Sequence, residues 1–462
     1  MLVNGPWTTS PDLSVWPMAT RTPADDARVA AYATALAFFH GDQWTAPPRR
    51  GETRLVFNYA RALIRKTASY VFPGPVGVSA LPLAETPVAR EAAALAEHLL
   101  TSLATDLDLP RLDQMLAIDA AVLGDAALKV TWDQRRGRPR VAPVDPAGLV
   151  ATWAPDDPRE VERMVHAYTL SGLQARRLFP DLDLSAIDPE GMVPVVEDWT
   201  VSTWGVHIAG QHLRTVPNPY GWIPYLVAAN NPRPLAFWGQ SDLGDLVDVC
   251  REINQRMTVL ARILELSGAP IAVLENVHGS EGISVGPGAK WELPEGAKAY
   301  LLDLLQGGSS QVHLDYLDRL FRVLHDLSET PRTAFGDSGR DLSGAALEVE
   351  IQPLVQKVER LRRMWGGVFV RRNAMLLDLL QRFGNQPLHG VRQTTTIWPP
   401  ILPSDREGSV RNAVSLVESG IQSRRSAIVA LGGNDPESEL AAIRAERDLS
   451  ALALATTERT SA

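Results

Sequence analysis

The 462-residue chain contains a single cysteine, Cys250, only five lysines beside 40 arginines, and no long uninterrupted apolar run. One cysteine excludes an intramolecular disulfide framework and a multi-cysteine zinc site, and it fits a reducing compartment. The longest uncharged stretch, Thr215–Pro232, holds four prolines and three asparagines, a composition no membrane helix tolerates without help. Met1–Thr20 carries Asn4 and two prolines before residue 12 and does not read as a signal peptide. Positive charge is in deficit, with Lys+Arg 45 against Asp+Glu 54 and a net −9. That balance argues against nucleic acid or an anionic membrane gripped by bulk positive charge. A soluble intracellular protein is expected. The arginine excess reads first as a coding bias toward GC-rich codons and only second as a stability device.

What is present suits a large folded chain. Hydrophobic residues are 45% and charged residues 21%, enough for a sizeable core, and the length corresponds to about three domains at roughly 150 residues each. Thr22-Pro23-Ala24-Asp25 is a capping box that predicts a helix to His40, stopped by Gly41. Further helices are expected over Asn58–Val71, Pro87–Leu103 and Leu112–Leu123. The period then changes: Leu128–Trp132, Val141–Trp153, Val161–Leu170 and Val195–Val206 read as short antiparallel strands. The first 240 residues are therefore expected to be mixed α+β.

From Ser241 the pattern becomes helical. Leu243, Leu246, Cys250, Ile253, Met257, Leu260 and Leu264 step three and four residues apart, a narrow apolar seam on a helix of about 25 residues. Such a seam packs against another helix at a shallow angle, of the same chain or of another subunit. Ser267-Gly268-Ala269-Pro270 ends it. A turn-rich, strand-like region follows, and a second helix carries Leu314, Leu317, Phe321, Leu324 and Leu327 up to Pro331. Residues 241–330 hold 14 acids and seven bases, a net −7 that is most of the chain's −9. A polar loop, Thr333–Ser343, leads into a long helix from Gly344 to Arg382. Its expected buried stripe is Ile351, Leu354, Val358, Leu361, Trp365, Val368, Met375, Leu379 and Phe383, with a kink at Pro353. A strand at Thr395–Trp398 and helices over Ser409–Ser419, Ser423–Leu431 and Pro436–Leu454 complete the chain.

Catalytic motifs fail on their own requirements. Gly336-Asp337-Ser338-Gly339 spells the nucleophile string of trypsin-like proteases, but no histidine base and orienting acid can be assigned to Ser338, and Arg340 follows. Gly286-Pro287-Gly288 opens like a dinucleotide fingerprint, yet Trp291 stands where the third glycine belongs. No P-loop is present. The nine histidines form no His-Glu-x-x-His, and His207 with His212 reads as a surface pair rather than a metal site. No cofactor, metal or catalytic residue is expected.

The order of segments resembles the portal proteins of tailed double-stranded DNA bacteriophages of the long-tailed type, over roughly residues 24–450. Asn58-Tyr59-Ala60-Arg61 running into Ala68-Ser69-Tyr70-Val71-Phe72 is similar to the family's early helix. Asn218–Pro224, followed by Phe237-Trp238-Gly239-Gln240-Ser241-Asp242-Leu243, resembles the approach to its stem. Ser343-Gly344-Ala345-Ala346-Leu347 resembles the start of its long helix, and Gly432–Glu437 with Glu439 resembles its C-terminal end.

The resemblance implies a mainly helical α+β portal fold, assembled as a ring of about twelve subunits around a central channel. Residues 1–240 and 344–402 would form the wing, 241–268 and 309–330 the stem helices, 269–308 the clip, 331–343 the tunnel loop and 403–462 the crown. Arg332, Thr333, Phe335, Asp337, Ser338 and Arg340 would line the DNA channel. His278, Glu281, Lys290, Trp291 and Glu292 would dock the packaging motor and later the adaptor. Leu243, Leu246, Ile253, Met257, Leu260 and Leu264 would form the stem seam. Implied partners are further copies of this chain, double-stranded DNA, the terminase large subunit, a head–tail adaptor, the major capsid protein and a scaffolding protein, with no membrane. The implied place is the virion's capsid vertex, reached by assembly in the host cytoplasm. An acidic stem suits such a conduit, since many Lys/Arg contacts would hold DNA through counterion release. Arg332 and Arg340 would be exceptions offering transient phosphate contacts, or would instead pair with Asp337 or Asp341. A monomeric helical scaffold, or a hydrolase around Ser338, are the alternative classes.

Overall fold

Thr22 and Asp25 cap the first helix reciprocally: the Thr22 hydroxyl accepts from the Asp25 amide at 3.3 Å, and the Asp25 carboxylate accepts from the Thr22 amide at 3.0 Å. Helix α1 (Pro23–His40) ends at Gly41, whose φ of +110° strongly favours glycine. The computed structural model describes residues 21–50, 52–268, 272–276, 295–301, 309–337, 344–402, 406–431 and 439–446. They fall into two compact units, residues 1–399 and 400–462.

In the first unit, α2 (Tyr59–Val71) starts at Asn58, whose side chain accepts from the Arg61 amide. After β1 (Gly77–Ala80) come α3 (Pro87–Asp106) and α4 (Leu109–Leu123). The strands are β2 (Asp125–Asp133), β3 (Arg138–Val144), β4 (Leu149–Trp153) and β5 (Val161–Ser171). The short α5 (Gly172–Leu178) precedes β6 (Met192–Thr200), β7 (Thr203–Ile208), β8 (Gln211–Pro217) and β9 (Tyr225–Ala229). They make two antiparallel sheets, β3-β2-β9 and β4-β5-β6-β7-β8.

Two expected strands are each two. Val141–Trp153 breaks at Asp145-Pro146: proline has no amide to donate, Asp145 caps one 3-10 turn (Pro146–Gly148), and the chain passes into the other sheet. Val195–Val206 is a β-hairpin, because the Thr200 hydroxyl accepts from the Thr203 amide at 2.9 Å and turns the chain at Val201-Ser202. Between the sheets, Glu197 accepts from Lys129 (2.6 and 2.8 Å), the Tyr168 hydroxyl (2.6 Å) and Trp199 Nε1 (2.8 Å). Burial alone would push Glu197 up, but Lys129 and these donors hold it down at about 2.

Next come α6 (Val247–Gly268), β10 (Ala272–Glu275) paired with β11 (Lys298–Leu301), α7 (Ser309–Leu327) and α8 (Gly344–Arg382), which is continuous through Pro353. β12 (Thr394–Ile397) pairs with β1. Of the stripe expected on α8, Leu354, Val358, Trp365, Val368 and Leu379 are buried. Ile351, Leu361 and Met375 are half-buried, and Phe383 is exposed. The buried surface is wider than a stripe, taking in Phe369, Arg372, Leu376, Leu377 and Leu380, because helices and strands cover α8 on more than one side. Arg372 donates through both Nη atoms to Asp113 of α4, at 2.5 and 3.1 Å, with both residues buried. The second unit contains α9 (Arg406–Glu418) and α10 (Arg424–Ala430), the latter capped by Ser423 as its sequence predicts.

Candidate functional site

The start of the α6–α7 pair is fixed by backbone packed against backbone. A Cβ at Gly239 would lie 2.2 Å from the Asn230 carbonyl oxygen and 2.3 Å from that of Gly124, so no side chain fits. A Cβ at Gly124, whose φ is +99°, would lie 2.8 Å from the backbone of Gln240 and Ser241. The Gly239 amide donates to the buried Asp125 carboxylate at 2.9 Å, and Ser241 Oγ donates to the Val122 carbonyl at 2.5 Å. These contacts give the Trp238-Gly239-Gln240-Ser241 string its physical meaning: it locks the helical pair to the end of α4 and to β9.

The apolar seam divides along its length. Leu243 and Leu246 precede α6, which starts at Val247 rather than Ser241; both are buried with Cys250 and Ile253 against α1, α2 and Leu324 of α7. Met257 is packed at the margin of that cluster, Leu260 is half-buried, and Leu264 is 55% exposed. The proximal seam is therefore core of one chain. Burial pushes the Cys250 thiol up to about 11, far from a reactive thiolate. A polar row escaped the sequence reading. Asn254, buried inside the helical pair's base, accepts from the Phe57 amide at 2.7 Å and donates to Gln43 at 2.6 Å. Thr258 accepts from the Leu55 amide at 3.1 Å. An extended segment before α2 thus runs beside α6, and only Asn254 and Thr258 on the helix could have signalled it.

Helices α6 and α7 pack on each other, with Tyr316 Oη donating to Glu252 at 3.2 Å and Glu252 pairing with Arg256 at 2.6 Å. Away from the base Val259, Leu264, Val312, Leu314 and Tyr316 are exposed while Leu317 is buried, and at the base Val323 and Leu327 are exposed on either side of the buried Leu324.

After α7 the chain makes a left-handed step at Glu329 (φ +51°) and a 3-10 turn, Arg332–Phe335, closed by Gly336. Arg332 pairs with Asp337 at 2.9 Å and with Asp318 of α7 at 3.5 Å. The side chain of Phe335 is exposed, with Lys66 and His325 beside its ring, while Ala334 is buried and Thr333 half-buried. Of the alternatives left open for Arg332, the pairing with Asp337 is the one the structure contains. Ser338, Arg340 and Asp341 lie outside the described residues, as do His278, Glu281, Lys290, Trp291 and Glu292. Rings of His207 and His212 meet across the β7–β8 turn at 4.9 Å. Among the described residues no group of three or more His, Cys, Asp or Glu could hold a metal, and no helix is long and apolar enough to cross a membrane.

These parts, helices and two antiparallel sheets followed by a helical pair and then one very long helix, match a known family. The family described as "Phage portal protein, SPP1 Gp6-like" matches residues 24–276 and 310–451. That is most of the chain, and the chain belongs to this family of phage portal proteins, a structural rather than enzymatic one. No curated protein matches it in sequence. The family match passes over residues 277–309, the segment holding all five expected docking residues.

Proposed function

We propose that the chain assembles into a closed ring of about twelve copies at one capsid vertex, and that DNA is packaged and ejected through its centre. The observation that carries this reading is the exposed apolar row along the outer parts of α6 and α7, with Leu264 at 55% and Val312 at 68% exposure. Helices with an apolar face outside their own core are completed by a neighbour, and a ring gives each copy the same neighbour on both sides. Within the ring, residues 241–268 and 309–330 form the stem, 269–308 the clip, 331–343 the tunnel loop, 403–462 the crown, and the remainder the wing.

The charge supports a conduit. Residues 241–330 carry 14 acids against seven bases, a net −7 per copy. Of that, −4 falls on the stem segments 241–268 and 309–330 and −3 on 269–308, and a ring of such segments repels the phosphate backbone and lets it slide, whereas a basic lining would retain it. In this reading Arg332 is neutralised by Asp337 and Asp318 at rest, and Phe335 offers an exposed apolar contact. His278, Glu281, Lys290, Trp291 and Glu292 dock the terminase large subunit and then the head–tail adaptor, while the wing meets the major capsid and scaffolding proteins.

Native mass measurement of the purified full chain, with negative-stain imaging, tests the reading. Twelve copies of the 50.4 kDa chain give a particle of about 0.6 MDa with a central hole. A particle that stays at 50.4 kDa across salt and concentration overturns it.

A further inference from the structure

Four arginines crowd the tip of the β-hairpin made by β2 and β3: Arg135, Arg136, Arg138 and Arg140. Residues 126–144 hold five bases (these four and Lys129) and one acid, Asp133, so this hairpin is +4 in a chain of −9. Lys129 is consumed in the core by Glu197. The arginines are not. Arg135, Arg136 and Arg140 are exposed and Arg138 is half-buried. Arg136 reaches Asp133 only at 3.9 Å, and Arg135, Arg138 and Arg140 make no ion pair among the described residues.

The tip is rigid rather than a floppy charged loop. Asp133 Oδ1 accepts from the amides of Arg135 and Arg136 at 3.0 and 3.1 Å. The Gly137 amide donates to the Asp133 carbonyl at 2.8 Å, and Gly137 takes φ +62°. Next to the turn, Trp132 is stacked on Phe383, the residue that follows α8. Asp133 thus uses one carboxylate oxygen to hold the turn and, apart from the long contact to Arg136, leaves the other guanidinium groups without an acidic partner among the described residues.

Protection of a sheet edge is the ordinary reason for charge on a strand such as β3, which is the outer strand of its sheet. Pro139 and Pro143 already serve that purpose by removing donors from β3. Four like charges within six residues repel one another, a cost that edge protection does not require. A polyanion relieves it. Arg138 and Arg140 lie two residues apart on one face of β3, about 6.8 Å along the strand, close enough for their guanidinium groups to reach neighbouring phosphates of one DNA strand. Guanidinium groups bind phosphate oxygens in pairs.

We propose that the tip of the β2–β3 hairpin is a contact for the phosphate backbone of double-stranded DNA, distinct from the tunnel-loop residues. The contact reads charge and spacing rather than sequence, and it works locally although the chain as a whole is acidic. It does not depend on ring formation, which particle mass reads independently.

The test is binding of a labelled 25-base-pair duplex to the full chain over a salt series, beside the variant Arg135→Gln/Arg136→Gln/Arg138→Gln/Arg140→Gln in the same oligomeric state. Four phosphate contacts correspond to a log–log salt slope of about −3.6. The variant is expected to lose most of that slope, so that its affinity deficit is largest at 50 mM salt and shrinks roughly 100-fold by 200 mM. Lysine at the same four positions should restore most of the slope, which separates charge from folding. A wild type that does not bind the duplex, or a quadruple variant with unchanged affinity and slope, overturns the proposal. So does equal competition by polyglutamate at matched charge, which would make the patch a site for acidic protein.

Discussion

Lys357 of α8 and Asp242, at the approach to α6, meet as a buried pair: Nζ lies 3.2 Å from Oδ2, with the side chains 12% and 7% exposed. The same ammonium donates to the Ser328 carbonyl at 3.1 Å, just after α7. Asp242 also accepts from Asn230 at 2.7 Å and Asn231 at 2.6 Å, beyond β9. One ion pair therefore ties together the sheet, both ends of the helical pair and the long helix.

Removing the cation strands a buried carboxylate that keeps only two amide donors. Lys357→Met should destabilise the chain by about 2–4 kcal/mol, and Lys357→Met/Asp242→Asn by less than the single change. Thermal or urea unfolding measures both; a double variant less stable than Lys357→Met would show that the pair is not coupled.

The two halves of the apolar seam should respond differently. Ile253, fully buried in the core cluster, should cost about 2–4 kcal/mol on change to Ala. Leu264→Ser and Val312→Ser, at exposed positions, should leave the melting curve nearly unchanged and lower the fraction of large particles by native mass. Intact assembly in the second pair would remove those residues from the interface.

His166 lies under the three-stranded sheet, its Nδ1 3.1 Å from Tyr225 Oη. Desolvation holds its pKa down to about 3, against 6.5 in the unfolded chain. Between those values the unfolded state binds the extra proton, so this group's contribution is fully present above about pH 6.5 and is lost as pH falls toward 3. Asp113 and Asp125, raised by burial, act in the opposite sense and remain in any His166 variant. His166→Gln should therefore show a shallower fall in melting temperature between pH 7 and 4 than the parent chain. A parallel fall in the two proteins would assign the acid sensitivity elsewhere.

If residues 331–343 form the proposed tunnel loop, deleting Thr333–Arg340 should leave assembly intact and reduce DNA packaging or retention. Because Ala334 is buried, Phe335→Ser is the milder version. With its ring exposed, it should alter stability by no more than about 0.5 kcal/mol while lowering packaged DNA. Packaging at wild-type level in both variants would end the assignment.

The sequence made the helices legible wherever caps and periodicity agree. Thr22 and Asp25, Asn58, Gly124 and Ser423 mark ends the structure keeps. It also showed the order of parts that led to the family, through strings such as Trp238-Gly239-Gln240-Ser241. Strand limits were less legible. Val141–Trp153 reads as one apolar run because alternation does not show that a chain has changed sheets; the break comes from Asp145 and Pro146 acting together.

By itself the sequence determined the helical pair, its seam period and the concentration of acid over residues 241–330, all of which are local or additive properties. Only the tertiary structure decided which part of that seam is core. Leu243 and Leu264 are the same residue type in the same register, yet one is covered by α1 and α2 and the other is not. Likewise Asp242, Ser328 and Lys357 are far apart in the chain and look like ordinary polar residues. They become a single junction because burial removes water from the ion pair and leaves each group only the partners that the fold brings to it.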